Sequence, residues 1–331
     1  MAPPTQPPLW RSFLDRLLGH REDVLSFVAE LAREYEPADL IVEVVAPAQA
    51  ELGALWEQGS ITVDQEHRAT ASADAVLARL APAPPGPHVG TAVSACVPGE
   101  WHVLPARMAN TVLELGGWRV PFAGANTTPD RLRQHVRTHR PGAVALSCAM
   151  AGRLPEAHDL VAVAHEAGVP VIAGGRAFNG ARARRLGVDA WVSDPREAAG
   201  VLGGWADTPP ALVPPARPPG EEFPGLVVER ERLVGAVVAR VDHALGGLDE
   251  GLERQLEVGV RVLHDHLAAA LYLEDASIFL DAIEWAAGVG DRRGFPRWTA
   301  VTGLGALEAE LGPDMTCARD LVETAVARLE P

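Results

Sequence analysis

Cysteine is scarce. The 331 residues hold three, Cys96, Cys148 and Cys317, and no CxxC pair. That excludes a disulfide framework or a cysteine zinc site and points to reduced thiols. Positive charge is short too: 29 Lys and Arg stand against 44 Asp and Glu, a net charge of −15. A phosphate backbone needs a basic face, so no nucleic-acid partner is expected, and the acidic surplus reads as a solvated surface. No run of about 18 apolar residues occurs, so no membrane span is expected. "MAPPTQPPLW" lacks a basic stretch followed by an apolar one; no signal peptide is expected, and the expected location is cytoplasmic. No P-loop, HExxH or nucleophile–base pair is present, and the chain is not expected to be an enzyme. Aromatic residues make up only 5%, yet eight of them are Trp.

What is present divides the chain into an α/β part and all-α parts. Its length favours two or three domains. Residues 8–83 read as a helical bundle. "REDVLSFVAELAREY" sets Val24, Phe27, Val28 and Leu31 on one stripe. "LIVEVVAPAQAELGALW" follows, with a kink expected at Pro47. Thr62 or Asp64 is the expected cap of a third helix, "VDQEHRATASADAVLARL". "PAPPGP" ends the bundle. Over 86–205, five short apolar runs each precede a helical pattern: "HVGTAVSACV", "WRVPFAG", "GAVALSCAM", "VPVIAGG" and "VDAWVSD". That alternation predicts a doubly wound, parallel, Rossmann-like sheet, with ligands at the C-terminal strand ends. Residues 206–223 are Pro-rich and read as a semi-rigid linker. Residues 224–331 are helical again, in four or five segments with a break near Glu274.

The first strand ends in "PGEWHVLP". A metal site makes sense of Glu100 and His102 there: one ring nitrogen of His102 ligates while Glu100 accepts from the other, fixing the tautomer. An ordinary surface histidine is the alternative for so short a triplet. The third strand ends at Ser147 and the fourth at Gly174-Gly175, small residues that leave a slot for an extended ligand tail. "EWHVLP", Ser147 and "GG" resemble the cobalamin-binding signature DxHxxG…SxL…GG of methionine synthase and its relatives. The resemblance implies that His102 is the lower axial cobalt ligand, displacing the cofactor's own benzimidazole, and that Glu100 is its hydrogen-bond partner. It also implies that Ser147, Gly174 and Gly175 line the pocket for the nucleotide tail. Glu replaces Asp at 100, Pro105 replaces Gly, and Ala149 replaces Leu.

In the bundle, "LWEQGSITVDQEH" places Trp56 ahead of Glu66-His67. This resembles the Wx9EH motif of the CarH-type photoreceptors and implies a cap over the adenosyl group of adenosylcobalamin, with Trp56 against the adenosyl group and Glu66 accepting from it. An adenine suits a flat apolar wall and a ribose suits an acceptor; a methyl ligand needs neither. A core Trp56 with exposed Glu66 and His67 is the plain alternative. Where CarH-type proteins have His directly after the Trp, this chain has Glu57. The segment before Trp10 is too short for a helix-turn-helix module, so output is expected through oligomerisation, a partner or the C-terminal domain.

In the last segment, Arg261, His264 and Asp265 fall at i, i+3 and i+4 on one helix face. They suit either surface ion pairs or a linear tetrapyrrole, with Asp or His accepting from pyrrole N–H groups and Arg pairing with propionates. Tyr272, Phe279, Trp285 and Trp298 offer either core or a flat wall. Cys317 is expected to be a partly buried free thiol, with a thioether to a bilin as the alternative. The domain order resembles the photocobilins, which join a CarH-type module to a biliverdin-binding helical domain. That resemblance implies a light-sensing homo-oligomer whose state changes with light, biliverdin as a second chromophore, and an unidentified downstream protein partner. A corrinoid carrier for methyl transfer and a sensor of cofactor level remain alternatives.

Overall fold

A computed structural model describes residues 7–19, 21–82, 88–216 and 220–330. Residues 83–87, most of the expected bundle terminator, lie outside the described residues, as do 217–219 of the expected linker and 1–6 of the amino-terminal tail. The described residues divide into two compact units. One runs to Ala149 and resumes over Glu156–Pro215; the other comprises Met150–Pro155 and the chain from Ala216 onward.

The first unit opens with helices α1 (Leu9–Leu18), α2 (Arg21–Leu31), α3 (Pro37–Leu40), α4 (Ala46–Glu57) and α5 (Val63–Leu80). A π-helical turn, Ile41–Val45, joins α3 to α4 directly before Pro47. Proline has no N–H for the preceding turn and its ring crowds the carbonyl four residues back; a locally wider turn accommodates both. Thr62, not Asp64, caps α5. Its Oγ1 accepts from the Gln65 N–H at 3.2 Å, and the Gln65 side chain accepts from the Thr62 N–H at 2.8 Å, a reciprocal capping box. The buried stripes of these helices, including Phe13, Leu17, Val28, Ile41, Leu52 and Leu77, meet in one core. Each such side chain contributes about 1.5–3 kcal/mol on burial.

That core also takes in Leu104 and Val112 of α6 (Val103–Leu115). The same helix turns Leu113 into a second core with Ala92, Ala143, Ile172 and Leu202. One helix is therefore shared by bundle and sheet, and its first turn sits at their seam. Strands β1 (Ala92–Cys96), β2 (Ala143–Ser147), β3 (Val171–Gly174) and β4 (Ala190–Trp191) are parallel and lie in that order. Helices α7 (Pro129–His139), α8 (Ala157–Glu166), α9 (Gly180–Arg185) and α10 (Pro195–Asp207) complete the winding, with α6 packing on α10 and α7 on α8.

Five strands were expected, and four form among the described residues. The segment expected as the second strand runs beside β1 but bridges it only at Thr91–Arg119 and Ser94–Phe122. Pro121 explains this: it has no N–H to donate, so the ladder thins to isolated pairs. The chain passes from β1 to this segment on one side and then to β2 on the other. The C-terminal end of β1 is thus the point where the winding reverses, where an open α/β sheet forms its crevice.

In the second unit, α11 (Glu222–Leu245), α12 (Glu250–Leu273), α13 (Ser277–Asp291), α14 (Arg297–Glu310) and α15 (Thr316–Leu329) pack around Leu233, Leu267, Phe279, Leu304 and Val322. The break near Glu274 is a left-handed residue, φ +51°, that ends α12. The Glu222 carboxylate accepts from the backbone N–H groups of Cys317 and Ala318, closing the start of α15. Cys317 is exposed rather than partly buried, because Ala318 takes the inward position in that turn. No helix among the described residues is long and apolar enough to cross a membrane.

Candidate functional site

Glu100 is fully buried, with no exposed side chain, whereas the His102 side chain is 58% exposed. A lone buried carboxylate would be costly, and this one is satisfied. Oε1 lies 2.6 Å from His102 Nδ1 and accepts from the His102 backbone N–H at 2.8 Å. Oε2 accepts from the Ala149 N–H at 2.7 Å. The loop holding Glu100 is itself pinned: the Asn126 N–H donates to the Glu100 carbonyl at 2.9 Å, and Asn126 Oδ1 accepts from Gly99 N–H at 2.8 Å. With the Nδ1 proton directed at Glu100, Nε2 keeps its lone pair for a metal.

The electrostatics name the neighbours. The Glu100 hydrogen bond holds the His102 imidazolium above its ordinary range, against burial, which works the other way. The Glu66 carboxylate adds to the rise and the Arg176 guanidinium opposes it, so both charges stand within reach of the ring. Burial, with the Glu100 charge adding to it, pushes the Cys96 thiol up to about 12. Cys96 therefore stays a neutral thiol beside the site.

The small residues form a row. Cys96 on β1 pairs in register with Ser147 on β2, and Ser147 pairs with Gly174 on β3, all at the C-terminal edge. Gly175 has φ +95°, and a Cβ there would stand 2.4 Å from the Cys148 carbonyl oxygen. At Gly174 the nearest atom to a Cβ would be 3.6 Å away, an ordinary contact. Gly175 is thus required by the backbone, and Gly174 matters for the side chain it omits.

In the bundle, Trp56 sits one residue from the end of α4 and Glu66 in the first turn of α5; both are partly buried. Glu66 Oε1 accepts from Thr70 Oγ1 at 2.8 Å. His67 is largely exposed, with Nε2 3.5 Å from Glu66 Oε2. Sequence reasoning missed Asn126 and Arg176, and gave Ala149 no role beyond its place in the signature. Ala149 acts through its backbone N–H and carries no side-chain signal; Asn126, in "GANTT" at the end of the segment beside β1, was open to recognition as a loop residue.

Two sequence-family models match the first unit, each described as a B12 binding domain, over residues 11–81 and 90–201. The chain is a cobalamin-binding protein. Its relatives include the repressor CarH of Myxococcus xanthus, described as an HTH-type transcriptional repressor, at 31% identity over 45% of this chain and 50% of that protein. The dimethylamine corrinoid protein 1 of Methanosarcina acetivorans is 24% identical over 54% of this chain and 87% of its own length. The solved monomethylamine corrinoid protein of Methanosarcina barkeri shares the fold, with a TM-score of 0.51 and 19% identity over 58% of this chain and 96% of that one. The residues at the sheet edge fit cobalamin on three counts. An oriented imidazole presents one nitrogen, a row of small residues opens beside it, and Gly175 lies flat on the Cys148 peptide where any side chain would intrude.

In the second unit, Arg261, His264 and Asp265 share a helix face but have separate roles. Arg261 pairs with Glu231 at 2.5 Å and Glu257 at 2.7 Å on the surface. Asp265 pairs with Arg230 at 2.8 Å and Arg153 at 3.0 Å. Burial pushes the Asp265 carboxyl up, but the Arg230 hydrogen bonds and the Arg153 charge oppose it, and the group is held below the usual range. His264 is buried, and neither ring nitrogen has a hydrogen-bond partner; its Nδ1 is 3.8 Å from Asp265 Oδ1, too long for one. The expected aromatic wall separates: Tyr272 and Phe279 are core, with Tyr272 edge-on to Phe223, while Trp285 and Trp298 are exposed.

Proposed function

We propose that this chain is a light sensor that holds adenosylcobalamin between bundle and sheet and biliverdin in its helical unit. The observation that carries the adenosyl part is Glu66. It belongs to the bundle, yet its charge reaches His102 at the sheet edge. A partly buried carboxylate in the first turn of α5, with Trp56 one residue from the end of the preceding helix, suits a nucleoside. His102, oriented by Glu100, would hold the metal, and Ser147, Gly174 and Gly175 would receive the tail. Support for biliverdin is the resemblance in domain order and one buried imidazole, His264, with neither nitrogen satisfied.

A second reading, a corrinoid carrier for methyl transfer, is favoured by the dimethylamine corrinoid relatives. The two differ at Glu66. A sensor binds adenosylcobalamin more tightly than methylcobalamin, and Glu66→Gln removes about 1–3 kcal/mol of that preference. Titration of both cofactors into wild type and variant decides it. Equal affinities for both cofactors in the wild type favour the carrier.

When bound, adenosylcobalamin supplies a cobalt–carbon bond that green light breaks. Loss of the adenosyl group would leave a void beside Trp56 and Glu66, and a packed interior does not keep such a void. The bundle repacks, and subunit contacts change with it. The full-length protein loaded with both chromophores is therefore expected to show a sharpened red biliverdin band and a light-dependent mass by light scattering. Photolysis seen in the spectrum with no change in mass would remove the quaternary signal. Absence of any red band would reduce the sensor to cobalamin alone.

A further inference from the structure

We infer that Arg176 binds the phosphodiester of the cobalamin nucleotide tail. The inference rests on the assignment of His102, Ser147 and Gly174-Gly175 as the cobalamin site. Once His102 takes the lower cobalt position, the cofactor's own base must leave it, and the opening beside His102 is the row of small residues. The tail carries a single anionic group, the phosphodiester, which joins the base and its ribose to the corrin. A cation at the mouth of the row is the complement that this group requires.

Arg176 meets that description by position. It follows Gly175, whose backbone lies against the Cys148 peptide and whose carbonyl accepts from Phe178 N–H at 3.1 Å. The turn is closed again by Ala177 N–H donating to the Cys148 carbonyl at 3.2 Å. Within that fixed turn the Arg176 side chain is exposed, and its Nε donates to the Ala149 carbonyl at 3.1 Å. Ala149 is the residue whose N–H holds Glu100 Oε2. One relay of hydrogen bonds therefore runs from the His102 ring through Glu100 and Ala149 to Arg176. Arg176 thus follows, by two residues, the end of the strand whose last residue pairs with Ser147.

The test uses the full chain and three corrinoids that differ in the tail: adenosylcobalamin, adenosylcobinamide and adenosylcobinamide phosphate. Affinities are read from fluorescence quenching and from dialysis, at low and moderate salt. Arg176→Ala should weaken adenosylcobalamin and adenosylcobinamide phosphate about tenfold and flatten their salt dependence. Adenosylcobinamide, which lacks the phosphate, should change by no more than about twofold. Arg176→Lys should keep part of the phosphate preference, since the charge remains and the planar fork does not. Equal losses for all three corrinoids would place Arg176 on the corrin or the loop and overturn the inference, as would no loss at all. A wild type that binds none of the three removes the cobalamin site itself, and the inference with it.

Discussion

Alanine in place of His102 should cost cobalamin affinity on the order of 100-fold and shift the spectrum of any cofactor still bound away from the His-ligated form. The size follows from what the position does. Changes at groups that merely orient a metal ligand cost about 10–100-fold, and the ligand itself is expected to cost at least the upper end. The two nearest donors are poor substitutes: Glu100 is buried and fully engaged, and Cys96 is held as a neutral thiol. The fold should survive, because the His102 side chain is more than half exposed and caps no N–H group of α6. Visible spectra and equilibrium dialysis of the variant measure both effects. Unchanged spectrum and affinity would remove His102 from the site.

The second large effect separates two adjacent glycines. Gly175→Val should destabilise the first unit by about 2–4 kcal/mol, from a side chain at positive φ and from overpacking. Its Cβ would stand 2.4 Å from a backbone oxygen that cannot swing aside. For a unit of this size that is a fall in Tm of roughly 4–16 °C. Gly174→Ala meets only an ordinary contact at 3.6 Å and should fold normally, yet it narrows the row beside Ser147 and should weaken cobalamin binding. Thermal melts with dialysis on the same samples test the contrast. A stable Gly175→Val variant that binds normally would contradict the role given to that turn.

The features legible in the sequence are those with a local signal. The Thr62 cap announces itself through Gln65 three residues on, and the end of α12 lies at the expected break. Glu100 and His102, in the loop between β1 and α6, and Ser147 and Gly174, at the ends of β2 and β3, lie where the strand–helix alternation points, since strand ends in a parallel sheet converge on one edge. The rest needed tertiary context. Pro121 weakens an expected strand, a cost visible in the residue but not in the apolar pattern around it. Ala149 contributes a backbone N–H, which any residue there would supply. Arg196 joins Asp39 at 2.7 Å and Glu43 at 2.9 Å, more than 150 positions away, a pairing that no local pattern specifies. On α12, spacing placed Arg261, His264 and Asp265 together, but packing against α11 decided that His264 is buried and Arg261 remains at the surface.

The most direct test of the site is the electron paramagnetic resonance spectrum of the protein carrying cobalamin in its cobalt(II) form, made with ordinary histidine and with nitrogen-15 histidine. The unpaired electron couples to the axial nitrogen. If that nitrogen is His102 Nε2, labelling changes the superhyperfine pattern from triplets to doublets, and the change disappears in His102→Ala. If the triplets persist in the labelled protein, the cofactor keeps its own benzimidazole on cobalt, and His102 is not the ligand.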